Sequence, residues 1–398
     1  MTNGQWANRQ RPAPNLQIPT SHCYNTGMKI ALDARLVYHR RYSGMGQYIV
    51  HLVEQLPGLD DGNDYTIIYS RKDHAAPRHP AARLQAAWTP SHNRLEQIAF
   101  PLELLRLKLD LLHSPDFIPP FTGQFKRVIT VHDLNFLHYP QFLTAQSRRY
   151  YNDQIERAVQ IADHILADSH ATQLDLIKLL NVPEEKITVV WLAPKAGVYR
   201  PLNPAEIAAA RDRLRLPERF ILFAGTLEPR KNVAGLLRAY RLLLDHDPHS
   251  PNLILAGSHG WLFDETRALI DELRLSEQVR WIDSPPDGDL AALYTAATVF
   301  VLPSHYEGFG LTVLEAMACG APCIISDRGS LPEIAGGAAK EIDPDDVVEL
   351  AEAMAGVLHD EQLQQQLRHR GFERVAEFSW ERCARETLHV YRRVLGVV

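Results

Sequence analysis

The sequence predicts an α/β protein made of two Rossmann-like domains, and three observations carry that expectation. Short apolar runs rich in β-branched and aromatic residues recur along the chain, each leading into a loop and a helical pattern. Residues 298–302, with Val299, Phe300 and Val301 at their centre and Pro303 behind them, are the clearest case. Such runs read as parallel strands buried on both faces. A stretch at 191–203 holding Pro194, Gly197 and Pro201, with Pro204 next, has the composition of an interdomain linker. Finally, 398 residues at 45% hydrophobic and 23% charged leave room for two cores. No short repeat is visible; the halves share only β/α alternation.

Composition excludes several classes. A formal net charge of −6 and a pI near 6.3 argue against a dedicated nucleic-acid binder. The four cysteines, Cys23, Cys319, Cys323 and Cys383, are too scattered for a disulfide framework or a zinc site. Reduced thiols in a cytosolic protein are the expectation. No apolar run approaches the ~20 residues of a membrane span. Residues 1–27 are polar, with Pro12, Pro14 and Pro19, and read as a disordered tail rather than a secretory signal.

Taken in order, 29–33 forms the first strand. The loop Tyr42-Ser43-Gly44-Met45-Gly46 follows, then a helix from about 47 to 56. The glycines fit either a phosphate loop or a turn needing positive φ. Residues 65–69 alternate as a strand, and 74–82 read as a surface loop. Leu95, Ile98, Ala99, Leu102 and Leu105 lie on one helical face between 94 and 108, interrupted by Pro101 and flanked by Arg94, Arg106 and Lys108. The pattern predicts an amphipathic core helix with solvated charges. Strands at 109–113 and 128–131 follow, the second ending in His132-Asp133, where Asp133 fits a cap equally well. A helix at 150–161 and a strand at 164–167 lead to Asp168-Ser169, expected to cap a helix at 171–180. Residues 187–190 close the first domain.

The second domain opens with a helix near Pro204. A strand at 220–224 runs into Gly225-Thr226, and Arg230-Lys231 precede a helix at 232–244. Adjacent cations at a helix start oppose the dipole, so they are expected to meet an anion there. Strands at 253–256, ending in Gly257-Ser258, and at 278–282, ending in Asp283, come next. After the run at 298–302 stands Ser304-His305-Tyr306-Glu307-Gly308-Phe309-Gly310. Leu311, Val313, Leu314, Met317 and Ala318 then recur at helical spacing until Gly320 and Pro322. This loop therefore joins a strand's carboxyl end to a helix's N-terminus, the ligand edge of an open α/β sheet and a place that favours anions. Glu307 and Glu315 frame it. Acids beside a phosphate site accept hydrogen bonds from hydroxyls, so a ligand rich in both phosphate and hydroxyl groups fits. A strand at 323–326, helices from about 346 and 361, and a segment at 380–395 with Leu388, Tyr391 and Leu395 on one face complete the chain.

The spacing Glu307-x7-Glu315 and the block from Glu307 to Pro322 resemble the signature of retaining glycosyltransferases of family four. Gly225-Thr226-Leu227-Glu228-Pro229-Arg230-Lys231-Asn232 resembles the same family's diphosphate-binding turn. The resemblance implies the GT-B architecture, with two domains facing across a cleft: 28–195 on the acceptor side, 196–378 on the nucleotide-sugar side. A helix at 379–398 would cross back to the first domain. It also implies transfer of a hexose, mannose or glucose, from GDP-mannose or UDP-glucose to a glycan or lipid-linked acceptor. Arg230 and Lys231 would bind the diphosphate with Gly225, Thr226 and Gly257. Glu315 would hold the ribose. Glu307 with Gly308 and the amides of Phe309, Gly310 and Leu311 would hold the sugar. Gly44 and Gly46 would close over the phosphates, and His132 would face the sugar.

No cofactor and no metal are expected, since no Asp-x-Asp motif stands in a strand-end loop. A cytoplasmic enzyme touching the inner membrane peripherally is implied, with no nucleic-acid partner; in the family the region matching 94–108 often touches the acceptor or the membrane, the alternative there to a core helix. Asp283 stands where the family usually has glycine, which leaves the base open. Three rival readings share the architecture or the binding residues: a sugar-nucleotide epimerase, a phosphorylase-like enzyme needing a pyridoxal phosphate lysine, and a catalytically silent nucleotide-sugar-binding subunit.

Overall fold

In a computed structural model of the chain, residues 27–40, 43–59, 62–93, 95–142, 145–258, 260 and 263–397 are described. The tail expected over 1–27 (apart from Gly27), Tyr42 and Arg94 lie outside them. Strands β1 (Lys29–Asp33), β2 (Asp64–Ser70), β3 (Ala82–Ala87), β4 (Leu111–Ser114), β5 (Lys126–Val131), β6 (His164–Ala167) and β7 (Ile187–Val189) form one sheet. Strands β8 (Phe220–Ala224), β9 (Asn252–Gly257), β10 (Val279–Asp283), β11 (Val299–Leu302), β12 (Cys323–Ser326) and β13 (Lys340–Ile342) form a second. Every pairing is parallel. The orders are β3-β2-β1-β4-β5-β6-β7 and β10-β9-β8-β11-β12-β13. Each reverses once, between β1 and β4 and between β8 and β11, and crevices for ligands open at such reversals.

The apolar runs become strands because helices cover both faces. All five residues of β8 and all four of β11 are buried, with Phe220, Phe223 and Phe300 packed against Tyr240 and Tyr294. The terminal helix Trp380–Val394 lays Trp380, Cys383, Ala384, Leu388 and Tyr391 on Tyr48, Ile49 and Leu52 of the first domain. Each fully buried side chain of that size contributes roughly 1.5–3 kcal/mol. Tyr391 OH also meets His113 Nδ1 at 2.5 Å, while His113 Nε2 meets Thr130 Oγ1 at 2.8 Å. Burial pushes His113 down to about 3, so that histidine is neutral.

One expectation is corrected, and one strand is added. The helix Glu96–Leu104 turns the opposite face inward: Glu96, Phe100 and Leu104 are buried. Leu95, Ile98, Leu102 and Leu105 are 65%, 68%, 61% and 67% exposed. Arg35 is the reason, because its buried guanidinium lies 3.4 Å from the centre of the Phe100 ring and donates to Glu96 Oε1 at 2.6 Å. The surface loop expected at 74–82 holds through residue 81, and Ala82 opens β3, an edge strand whose sequence Ala-Arg-Leu-Gln-Ala-Ala carries no β-branched signal.

Candidate active site

The site begins where β8 ends. Beyond Gly225 the chain runs into a single 3₁₀ turn, Pro229–Lys231, and Asn232, at φ 53°, caps the helix Val233–His246 through Gly235 N at 3.1 Å. Arg230 and Lys231 thus precede the helix rather than open it. Lys231, only 6% exposed, runs beneath Gly225, with Cε 3.6 Å from where a Cβ there would sit. Its Nζ donates to Glu307 Oε1 at 2.5 Å. Arg230 Nη1 donates to Glu307 Oε2 at 2.7 Å, and Nε to Glu228 Oε2 at 2.9 Å. Ser304 Oγ completes the set on Glu307 Oε1 at 2.7 Å. Despite burial, the two cations and these hydrogen bonds hold Glu307 at about 2. Among the described residues Lys231 spends one of its three N–H groups, and Arg230 Nη2 has no acceptor.

Glu307 therefore spaces two cations, in place of the open carboxylate that the sequence suggested for sugar hydroxyls. The loop behind it is shaped by two glycines. A Cβ on Gly308 would lie 2.2 Å from the carbonyl oxygen of His132 and 2.5 Å from Asp133 Cβ, so only glycine lets the domains meet there. Gly310, at φ 99°, starts the helix Leu311–Ala318 without a side-chain cap; Val313 N donates to the Gly310 carbonyl at 3.0 Å, and the N–H groups of Leu311 and Thr312 are left to water or a ligand. Phe309 is buried and packs edge-on to Phe378 at 6.2 Å. Inside that helix Glu315 accepts from Tyr294 OH at 3.3 Å, with Tyr199 beside it. Burial pushes its carboxyl up to about 8.

The remaining expected residues gather around this centre. Thr226 Oγ1 meets Ser258 Oγ at 3.0 Å at the ends of β8 and β9, beside Gly257. Gly44 and Gly46 belong to the first turn of the helix Gly44–Gln55 rather than to a loop, and Ser43 Oγ accepts from Gly46 N at 3.2 Å. Gly44 still faces the second domain: a Cβ on it would come 3.4 Å from Leu311 Cδ1.

His132 stands at the end of β5 opposite Gly308. Its Nδ1 lies 2.6 Å from Asp168 Oδ2 and its Nε2 3.1 Å from the carbonyl of Pro115. Both neighbours only accept, so both ring nitrogens carry protons and the ring is an imidazolium. Burial opposes that charge, but Asp168, Pro115 and Asp116 outweigh it and raise the ring to about 9. Asp168 thus serves His132, and Ser169 alone caps the next helix. Asp133 accepts from Asn135 N at 3.0 Å.

Sequence reasoning missed Asp168 as partner of His132, Ser304 as donor to Glu307, and the two tyrosines around Glu315. Only Ser304 had a local signal, since it adjoins the signature loop. A cavity of about 560 Å³ opens against the turn at Pro229, beside Glu228, Asn232, Arg238, Glu265 and His305. Among the described residues no group of three or more His, Cys, Asp or Glu side chains is arranged to hold a metal ion. No helix among them is long and apolar enough to cross a membrane.

Comparison with known proteins agrees with this geometry. Residues 42–192 match the family model "Glycosyltransferase Family 4", and residues 206–374 match "Glycosyl transferases group 1". The chain is 35% identical over 283 residues to the O-antigen chain mannosyltransferase B of Escherichia coli, covering 71% of this chain and 74% of that one. It is 30% identical over 288 residues to the serotype-specific mannosyltransferase WbdA of Escherichia coli, of which it spans 35%. Among solved structures, sucrose-phosphate synthase from Thermosynechococcus elongatus superposes with a TM-score of 0.75 at 23% identity, covering 93% of this chain and 100% of that one. HepE from Anabaena, in complex with UDP and glucose, gives 0.73 at 18% identity over 92% of this chain and 100% of its own. Two matched family models, a 35% identical relative and twin parallel sheets together establish that the chain belongs to the family-four glycosyltransferases and has their GT-B fold.

Proposed function

We propose that this glycosyltransferase moves a hexose, with retention, from a nucleoside diphosphate sugar to a hydroxyl of a glycan or lipid-linked acceptor. The observation that carries the reading is the Arg230–Glu307–Lys231 cluster, with Glu307 and Lys231 buried, beside an uncapped helix start. Its spare N–H groups suit a diphosphate, and they neutralise the charge that develops on it as it leaves. The bond from the anomeric carbon to the phosphate oxygen breaks, and the bond to the acceptor oxygen forms on the same face. The acceptor's proton passes to the departing phosphate. Glu307, saturated by three donors, is a poor covalent nucleophile, so the paired-carboxylate logic of glycosidases does not apply. With the cations supplying the counter-charge, the step needs no metal.

In this reading Glu315 receives the ribose hydroxyls, and the amides of Gly310 and Leu311 meet the sugar or phosphate. His132, as a fixed cation, orients the donor and does not act as a base. GDP-mannose is the first choice of donor over UDP-glucose, supported by the mannosyltransferase names of the relatives. The exposed stripe Leu95, Ile98, Leu102 and Leu105, with Arg106 and Lys108 nearby, supports a peripheral seat on an anionic membrane face.

Thermal-shift screening with a panel of nucleotide sugars tests the donor; at 100 times its dissociation constant the correct one adds about 2.7 kcal/mol of stability. NMR of the product's anomeric proton tests retention, and an inverted product would overturn the mechanism.

A further inference from the structure

The helix His170–Leu180 belongs to the first domain, yet its first two turns grip the second. Glu333 accepts from the backbone N–H groups of His170 at 3.0 Å and Ala171 at 3.3 Å, and from Trp191 Nε1 at 2.9 Å. Ser169 Oγ takes the N–H of Thr172 at 3.1 Å as a cap and itself donates to the carbonyl of Gly308 at 2.6 Å. The Thr172 hydroxyl lies 3.3 Å from the same oxygen. One turn on, Asp175 Oδ2 accepts from Tyr306 OH at 2.6 Å and pairs with His138 Nε2 at 2.8 Å. Residues 169, 172 and 175 are three apart, so they share one helical face.

Tyr306 and Gly308 are the two neighbours of Glu307. Bonds at both fix the peptide on either side of the carboxylate that spaces Arg230 and Lys231, and they come from the opposite domain. Nucleotide recognition depends on it less, because Gly225, Thr226 and Glu315 lie in the second domain and bond to neighbours other than Glu307.

We infer that Ser169 and Asp175 are positioning residues, through which the first domain sets the geometry of Glu307 and its two cations when the domains close. The cation pair is then assembled for transfer in the closed state, while the open state still binds nucleotide. This rests on the transferase reading for its activity measurement only.

Tyr306→Phe removes one hydroxyl and keeps the ring on His138, which lies 4.9 Å from it. Asp175→Asn weakens the same bond from the other side. Loss of one charge-assisted hydrogen bond predicts a kcat about tenfold lower in each variant. The double variant should be no worse than either single one, and calorimetric Kd values for UDP or GDP should stay within about twofold. A second readout is single-molecule energy transfer between dyes on Glu156→Cys and Glu373→Cys, both exposed, in a Cys23→Ala background. Both variants should shift the population from closed to open by a similar factor.

Energy-transfer histograms identical to wild type in both variants would overturn the inference, as would kcat losses matched by equal losses of nucleotide affinity. If the wild-type protein transfers no sugar from any donor, the transferase reading fails, and energy transfer alone decides the role of the helix.

Discussion

Two arginines, the buried Arg35 of the first domain and the partly exposed Arg230 of the second, show how a structural charge differs from one that waits for a ligand. Arg35 spends its whole fork on protein: Nε and Nη2 on Asp33, Nη2 again on Glu96, and Nη1 on the carbonyl of Thr89. Arg230 binds Glu228 through Nε and Glu307 through Nη1, and its Nη2 has no acceptor among the described residues. Lys231 beside it is equally unsatisfied. Lys231 is buried while the Arg230 side chain keeps 18% exposure, so the pair's spare donors stand where an anion can reach them and complete the set. In the first domain the N–H groups of His132 likewise end on protein acceptors, Asp168 and the Pro115 carbonyl, so His132 can act on a ligand only through its charge.

That contrast predicts where each substitution registers. Arg35→Ala strands the carboxylates of Asp33 and Glu96 and removes the guanidinium from the Phe100 ring. It should cost about 3–5 kcal/mol of folding stability, measured by urea denaturation at pH 7. The penalty should shrink at lower pH, because burial already raises Glu96 and eases its protonation. A loss below about 1 kcal/mol would dissolve the distinction between the two arginines.

Lys231→Ala should do the reverse. Arg230 still neutralises Glu307 and Ser304 still donates to it, so stability changes little, whereas kcat at saturating donor should fall on the order of 10²-fold or more. Wild-type turnover in a folded, nucleotide-bound mutant would remove Lys231 from the chemistry.

What the sequence made legible was local. The strands Phe220–Ala224 and Val299–Leu302, the loop from Glu307 to Gly310 and the helix behind it are each signalled within about ten neighbouring residues. What stayed hidden depends on distant partners. The orientation of the helix Glu96–Leu104 is set by Arg35, 61 residues away from Glu96, and its apolar stripe matched a core face in every local respect. Asp168 looked like a cap because capping is a local rule, while its real partner, His132, lies 36 residues back on the neighbouring strand. The surroundings of Glu315 were equally hidden, since Tyr294 sits on another helix.

Asp168→Asn probes the closed set of charges. The ring of His132 is raised to about 9, above its ordinary 6.5. The pair's stabilisation is therefore complete below pH 6.5 and lost as pH rises through 9. Facing the ring are Asp168 just past β6, Asp116 beyond β4, neutral His113, and Tyr48 from the helix Gly44–Gln55, with Asp133 next in the chain. Asparagine keeps the hydrogen bond and removes the charge. The variant should lose on the order of 2 kcal/mol near pH 6 and converge on wild type above pH 9. A constant difference across that range would mean that the histidine is not held charged.

The smallest effect belongs to Glu315, and pH gives it a sign. Burial holds its carboxyl near 8, so at pH 7 the unliganded protein carries it mostly protonated. Ribose hydroxyls bind the ionised form more strongly, because hydrogen bonds to a charged acceptor are about twice as strong as neutral ones. Nucleotide affinity of the wild-type protein should therefore rise with pH and level off above about 8. Glu315→Gln, which resembles the protonated acid, should show no such rise. The two affinities should be close at pH 6.5 and differ by about 1–2 kcal/mol at pH 9. Stability runs the other way: a raised carboxyl favours the fold below its unfolded value near 4.5, and that contribution is lost as pH climbs through 8. The glutamine variant should then be the more stable protein at pH 9 while binding nucleotide less well. Calorimetric titration with GDP and UDP, alongside thermal melts at both pH values, reads the two opposed trends in one series. Affinities that run parallel with pH in both proteins would show that the carboxyl of Glu315 serves the tyrosines around it and not the ligand.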